Sequence, residues 1–274
     1  MSIKSIVALS DGSDLKSVLS AAVALTGRLS ARLDVLHIKT DPYDMIPIGA
    51  EGLTGDVIYE VVDSAKKAIE ERRVRAKAEY DRVCAPSGQS VNWKEVVGRS
   101  PKMLSIASRF ADLLVLAQPD DKSPDTLFDA VDVAMFESGR PVVFVPSGCS
   151  SVLGNRIMIA WNGSTQAALA VTAALPLLHL ASQVDIVQAG TIDEDVSSNK
   201  LALYLALHSI KAQTHAIDVG IQNIGGTLIA AAERFDSDLI VMGAYGHIRM
   251  RERILGGATR DLLKDSPWPI LMMH

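Results

Sequence analysis

Two hydrophobic rhythms alternate along the chain. Residues 3–9, 32–38, 91–97, 112–117 and 141–145 are short runs dominated by Val, Ile, Leu and Ala, most of them almost unbroken by polar residues. Runs of this length and continuity predict strands buried on both faces, as in a parallel sheet. Between them the period lengthens. Residues 15–30 place Leu15, Val18, Leu19, Ala22, Val23 and Leu25 on one helical face. Residues 60–84 carry Val61, Val62, Ala65, Ile69, Ala76 and Tyr80 toward one side of a long charged helix. Ser100-Pro101 opens a helix over 101–111, and 126–137 predicts another. Strand and helix in strict alternation predict an α/β fold with a parallel sheet. Residues 39–58, with Pro42, Pro47, Gly49, Gly52 and Gly55, predict a long loop, and the small polar stretch 146–151 predicts a linker.

After that linker the pattern starts again. Asp11-Gly12-Ser13 matches Asn162-Gly163-Ser164 at an offset of 151 residues, and the same offset carries Arg32-Leu-Asp-Val-Leu36 onto Gln183-Val-Asp-Ile-Val187. Further on, Asp112-Leu-Leu-Val matches Asp238-Leu-Ile-Val at an offset of 126, and Ser138-Gly-Arg-Pro141 matches Ser266-Pro-Trp-Pro269. The shorter offset follows from the loop at 39–58, which has no long counterpart after Ala189. One α/β unit is thus repeated in tandem, with boundaries predicted at 1–148 and 152–274.

The second copy holds the most informative stretch. The apolar run Asp238-Leu-Ile-Val-Met242 stops at Gly243; Gly246 follows, then nine residues, then Gly256-Gly257 and the helix-like Ala258–Asp265 segment. Glycines at the exit of a buried strand and at the start of a helix leave backbone N–H groups uncovered, and a phosphate can be held there by those donors and by the helix dipole. Arg249, Arg251 and Arg253 lie between the glycines and could neutralise it, or simply be a solvated loop. The same glycines also suit a tight turn with no ligand, so both readings stand at this point. In the first copy the positions of Gly256 and Gly257 fall on Phe128 and Asp129, and those of Gly243 and Gly246 on Ala117 and Asp120. A bulky side chain and a carboxylate there predict that the first copy does not hold phosphate in this way.

Composition narrows the field. With 274 residues, 48% hydrophobic and 22% charged, the chain is expected to be globular. A formal charge of −5 argues against nucleic acid as partner. Cys84 and Cys149 form no CxxC pair, and the six histidines show no ligand spacing, so no metal site is expected. No apolar run reaches the ~18–20 residues of a membrane span, and the chain passes from Met1 almost directly into its first strand, so a soluble cytoplasmic protein without membrane contact is expected. Neither a Walker loop nor a GxGxxG after a strand is present. His247 lies within the glycine stretch, but no catalytic residue is assigned: a base and nucleophile are not evident, and weak hydrolysis is the most that is expected.

Both copies resemble the universal stress protein domain: the first strand and turn Ile6-Val-Ala-Leu-Ser-Asp-Gly-Ser13, the fourth strand Asp238-Leu-Ile-Val-Met-Gly243, the Gly-x2-Gly-x9-Gly spacing, and the Pro269-Ile-Leu final strand. The resemblance implies two tandem Rossmann-like domains of the adenine nucleotide α-hydrolase-like kind. Each would be a five-stranded parallel sheet in the order 3-2-1-4-5, flanked by helices. It also implies pairing of the two units through their last strands, and a homodimer of chains. The implied ligand is ATP or another adenine nucleotide, with magnesium accompanying it. The positions that carry over are Ala160, Trp161, Asn162, Val187, Met242, Gly243, Gly246, Gly256, Gly257, Ala258 and Thr259. Two depart from the family pattern: Asn162 stands for Asp, losing a charge, and Gly257 for Ser or Thr, losing a hydroxyl that Thr259 could replace. The implied function is a stress-response regulator that binds nucleotide in its second domain. The alternative is an interaction module of the same family that acts through dimerisation without nucleotide.

Overall fold

The computed structural model describes residues 2–10, 14–45, 54–120, 123, 125–149, 152–219, 223–244 and 257–274. In the first half, β1 (Ser5–Leu9), β2 (Arg32–Lys39), β3 (Val91–Val97), β4 (Leu113–Ala117) and β5 (Val142–Val145) alternate with α1 (Leu15–Leu29), α2 (Gly55–Val83), α3 (Ser100–Ser108) and α4 (Asp125–Phe136). The second half repeats this with β6 (Arg156–Ala160), β7 (Gln183–Ala189), β8 (Gln213–Ile217), β9 (Leu239–Gly243) and β10 (Ile270–Met273). Its helices are α5 (Thr165–Leu178), α6 (Ser198–Leu207), α7 (Ile224–Arg234) and α8 (Gly257–Asp265). The loop expected over 39–58 is shorter than its composition suggests: β2 runs to Lys39, a 3-10 turn occupies Pro42–Met45, and α2 is under way from Gly55. Gly55 and Asp56 are tolerated in its first turn, where backbone N–H groups lack intrahelical partners in any case.

All ten strands lie in one sheet, in the order β3-β2-β1-β4-β5-β10-β9-β6-β7-β8. Within each half every neighbouring pair is parallel. The halves meet at one antiparallel pair, β5 with β10, in the register Phe144↔Ile270, Val143↔Leu271, Val142↔Met272. The strand period of two sorts side chains between two layers. Ile6, Ala8, Val143, Ile157, Val241 and Leu271 join the layer under α1 and α5; Val7, Leu9, Phe144, Met158, Ile240 and Met272 join the layer under α4 and α8. Each layer runs without a break across the seam. Side-chain hydrogen bonds also cross it. Arg28 on α1 donates to the carbonyls of Gly154 and Leu180 at 2.8 and 2.5 Å, and Gln118 donates to Ser266 O at 3.1 Å.

Two aspartates shared by the repeats have structural work. Asp112 accepts from the backbone N–H of Lys4 and Ser5, and Asp238 from those of Gly154, Asn155 and Arg156, at 2.8–3.1 Å. Each carboxylate therefore ties the start of a half's fourth strand to the start of its first. The linker is held as well: Asp14, the N-cap of α1, accepts from Ser17 N and Ser17 Oγ and also from Ser147 Oγ and Gly148 N. Burial pushes the Asp14 carboxyl up, but these four bonds outweigh it and hold it below the usual carboxylate range. No helix among the described residues is long and apolar enough to cross a membrane.

Because both core layers span the seam, the chain should unfold as one unit. Phe144→Ala, at a fully buried seam position, is expected to cost about 3–5 kcal/mol. In urea, the circular dichroism and the fluorescence of Trp93, Trp161 and Trp268 should still change together; separate transitions for the two signals would contradict this. The lowered Asp14 carboxyl sets a sign for pH. Its contribution is present above the unfolded-state value and is lost as pH falls through the folded one. The stability difference between the protein and Asp14→Asn, measured by urea titration, should therefore be largest near neutrality and shrink as pH drops below about 4.

Candidate functional site

In the second half the chain runs from β6 through β7 to β8 on one side and then to β9 and β10 on the other, so the order of connection reverses between β6 and β9. Ligands of open α/β sheets bind outside the carboxyl ends of the strands at such a point. Three of the expected residues end their strands side by side there: Ala160 is in register with Val187 on one side and with Met242 on the other. Their side chains, however, belong to the buried layer beneath α7 and α8. What they offer at the edge is backbone, not side chain.

The neighbouring positions are built more tightly than their sequence suggests. Trp161 lies in the opposite core layer and is buried. Its backbone N–H donates to Val187 O at 2.9 Å and its indole N–H to Val196 O at 2.7 Å. Val196 closes a 3-10 turn, Glu194–Val196, that folds over this strand end. Gly163 makes the approach possible: its φ is +72°, and a Cβ there would lie 2.5 Å from Val196 Cγ2. Asn162 is exposed, and its Oδ1 accepts from Ser164 N at 3.1 Å, so the carbonyl that replaces the family's carboxylate is spent on the turn. Ser164 then caps α5 by accepting from Ala167 N. Residue by residue, this turn is explained by chain folding.

Gly243 has a steric reason of its own. A Cβ there would sit 2.3 Å from Ala167 N and 2.6 Å from Gln166 C, inside the first turn of α5. The absence of a side chain lets α5 close on the end of β9 at the switch point. Since β10 is parallel to β9, the connecting α8 runs against the strands, and its first residue, Gly257, lies at this same end of the sheet. Ala258 and Thr259 follow in its first turn, and Thr259 is buried. Gly246 and Gly256, together with His247, Arg249, Arg251 and Arg253, lie outside the described residues. The contacts of Trp161 with Val196, and of Gln188, whose Oε1 accepts from Ser198 N, were not signalled by any spacing in the sequence.

The first half differs at the corresponding edge. Pairing Ser138 with Ser266 sets Asp129 opposite Gly257, and α4 begins at Asp125. Phe128, on this helix, is 45% exposed and forms no part of the core. Neither cysteine suits nucleophilic chemistry, because burial pushes the thiols of Cys84 and Cys149 up to about 11. Among the described residues no group of three His, Cys, Asp or Glu side chains could hold a metal ion.

Residues 155–274 match the model of the universal stress protein family. This places the edge formed by β6, β7 and β9 in a universal stress protein domain. The fold extends further. A universal stress protein from Archaeoglobus fulgidus DSM 4304 superposes with a TM-score of 0.73 at 14% identity, covering 98% of this chain and 97% of that one. A functionally unknown protein from Pseudomonas aeruginosa PAO1 gives 0.60 at 14% identity, covering 99% and 92%. Both halves of the chain therefore share their architecture with proteins of similar length. No curated protein matches the chain.

Two outcomes test these contacts. Gly243→Ala should lower stability by about 1–3 kcal/mol in urea titration, since backbone on both sides leaves little room to yield. Cys84, which is buried, should react with iodoacetamide at pH 7 much more slowly than a model thiol and become reactive on unfolding; rapid alkylation of Cys84 in the folded protein would contradict its burial.

Proposed function

We propose that the chain is a tandem universal stress protein, with units near 1–148 and 152–274, whose second unit binds an adenine nucleotide. The observation that carries this reading is the convergence at one edge of the ends of β6, β7 and β9 with the first turn of α8. The two elements that bracket residues 245–256, the strand exit at Gly243 and the helix start at Gly257, frame the family's glycine spacing. Backbone N–H groups at Gly256, Gly257 and Ala258, with the Thr259 hydroxyl, would receive phosphate. The backbone at Ala160, Trp161, Asn162, Val187 and Met242 would receive the base and sugar, and magnesium would accompany the phosphates. The ligand serves as a signal in a stress response and turnover is at most slow. Since β5 and β10 are already paired with each other, a homodimer of chains would use other surfaces.

A second reading, an interaction module without nucleotide, is favoured by a specific observation. The indole of Trp161 is sealed against Val196 at the strand end, and Gly257 brings no hydroxyl. One experiment separates the two. Native protein is analysed by mass spectrometry for released small molecules, and its melting temperature is followed with millimolar ATP, ADP or AMP, with and without magnesium. Nucleotide binding is expected to raise the melting temperature, Gly256→Asp to abolish the rise, and Phe128→Ala to leave it unchanged. Absence of both released nucleotide and stabilisation would favour the interaction module. Equal effects of the two substitutions would contradict a site confined to the second half.

A further inference from the structure

The repeat offset of 151 sets Ser10 opposite Trp161 and His37 opposite Gln188. The backbone agrees: Ser10 N donates to Leu36 O at 2.9 Å just as Trp161 N donates to Val187 O. The side chains do not. Where the indole of Trp161 fills the strand end in the second half, the small Ser10 leaves a cavity lined by Leu9, Ser10, His37, Ile38 and Arg72. Its volume of about 10 Å³ suits roughly one water or one ligand oxygen. A nucleobase does not fit in it.

The lining is chemically specific. Ser10 Oγ and His37 Nδ1 are 2.7 Å apart, and both residues are buried. The imidazole is held face to face on Trp93, with ring centroids 5.3 Å apart and planes 18° from parallel. Across the cavity Arg72, on α2, is half-buried. Among the described residues it has no hydrogen-bond or ion-pair partner, whereas the adjacent Arg73 is engaged by Glu70 and Glu95. Among the described residues no carboxylate lines the cavity. A half-buried guanidinium without a counter-ion, facing a fixed hydroxyl–imidazole pair, selects a negatively charged group rich in acceptors.

We propose that the first half carries an oxyanion-binding site, formed by Ser10, His37 and Arg72, which takes the head of a small phosphorylated or carboxylated molecule whose body stays outside. With His37 Nδ1–H donating to Ser10 Oγ, the serine O–H is released to donate to an oxygen of the anion, while Arg72 supplies N–H donors and charge. This site is separate from the nucleotide site proposed for the second half, and neither depends on the other.

The test uses the full chain, isotopically labelled. Inorganic phosphate and acetate are titrated separately, with chloride matched for ionic strength, while amide and ring resonances are followed. Saturable shifts centred on Ser10 and His37 are expected with phosphate, with acetate, or with both. Response to phosphate alone assigns a phosphoryl ligand, and response to acetate alone a carboxylate. Arg72→Gln, a substitution on the outer helix, should weaken the saturable binding at least tenfold, and Ser10→Trp should abolish it by rebuilding the plug of the second half. If Ser10→Trp does not fold, Ser10→Ala serves in its place and should also weaken binding. Gly256→Asp should leave it unchanged. Shifts that chloride reproduces, or phosphate and acetate binding that survives Arg72→Gln undiminished, would overturn the proposal.

Discussion

The antiparallel pairing of β5 with β10 is the constraint on which the rest of the molecule depends. A five-stranded unit ending at β5 would present an edge of four consecutive residues, Val142 to Val145, all buried in the folded chain. Such an edge, with its unpaired backbone groups and apolar side chains, invites association. The chain meets the problem by carrying a second copy of the unit and pairing the two last strands edge to edge. Three residue pairs suffice for the hydrogen bonds. The larger gain is that both core layers become continuous across the seam, so that Phe144 and Met272 pack in one cluster and Val143 and Leu271 in the other. Burial of apolar surface on two faces at once, not the ladder alone, holds the halves together.

Antiparallel pairing has a geometric consequence for function. The strands of the two halves point in opposite directions, so the carboxyl edges at which such sheets bind ligands lie at opposite ends of the molecule. A substitution at one edge is far from the other and the two can diverge independently. The structural ties, by contrast, have not diverged. Asp112 and Asp238 perform the same service for their respective first strands. Asp34 and Asp185 are both buried in the sheet and bonded to an outer strand, the former to Asn92 and Lys94, the latter to His215. What the halves share is architecture; what separates them is the furnishing of the edge.

This distinction also explains what could be read from the sequence. Strand and helix positions followed from periodicity because both faces of the sheet are covered, which forces long apolar runs in the strands and one-sided faces on the helices. The repeat was legible for the same reason. The start of α2 was misjudged because Gly55 and Asp56 resemble a loop, although a helix's first turn accepts them. Contacts between distant segments left no trace in spacing. Ser10 and His37 are 27 residues apart, and Trp161 and Val196 are 35 apart; neither pair forms a motif. Gly243 shows a subtler limit. By sequence its lack of a side chain suits a phosphate or a tight turn alike, and the structure supplies an intramolecular reason in the backbone of α5. The two reasons are compatible, because a glycine that admits a helix to a strand end also leaves that end open.

The edges themselves can be compared at one position. A strand end at the centre of a parallel sheet must either be covered by the chain or be left for a ligand, since its backbone donors and acceptors lie in a cleft between helices. At Trp161 the chain covers it: the indole reaches the 3-10 turn, and Gly163 gives that turn room to descend. In the proposed nucleotide site of the second half the Trp161 end would therefore offer only backbone, and the phosphates would be held from the β9 and α8 side. At Ser10 the side chain is too small to give such cover, and among the described residues the space is bounded by an imidazole locked between a hydroxyl and Trp93, with Arg72 beyond. The half that lost the glycine spacing is thus the one that kept an opening at its strand end. Loss of a phosphate cradle and retention of a small polar cavity are separate events on the same edge, and the first does not imply the second half alone is competent to bind.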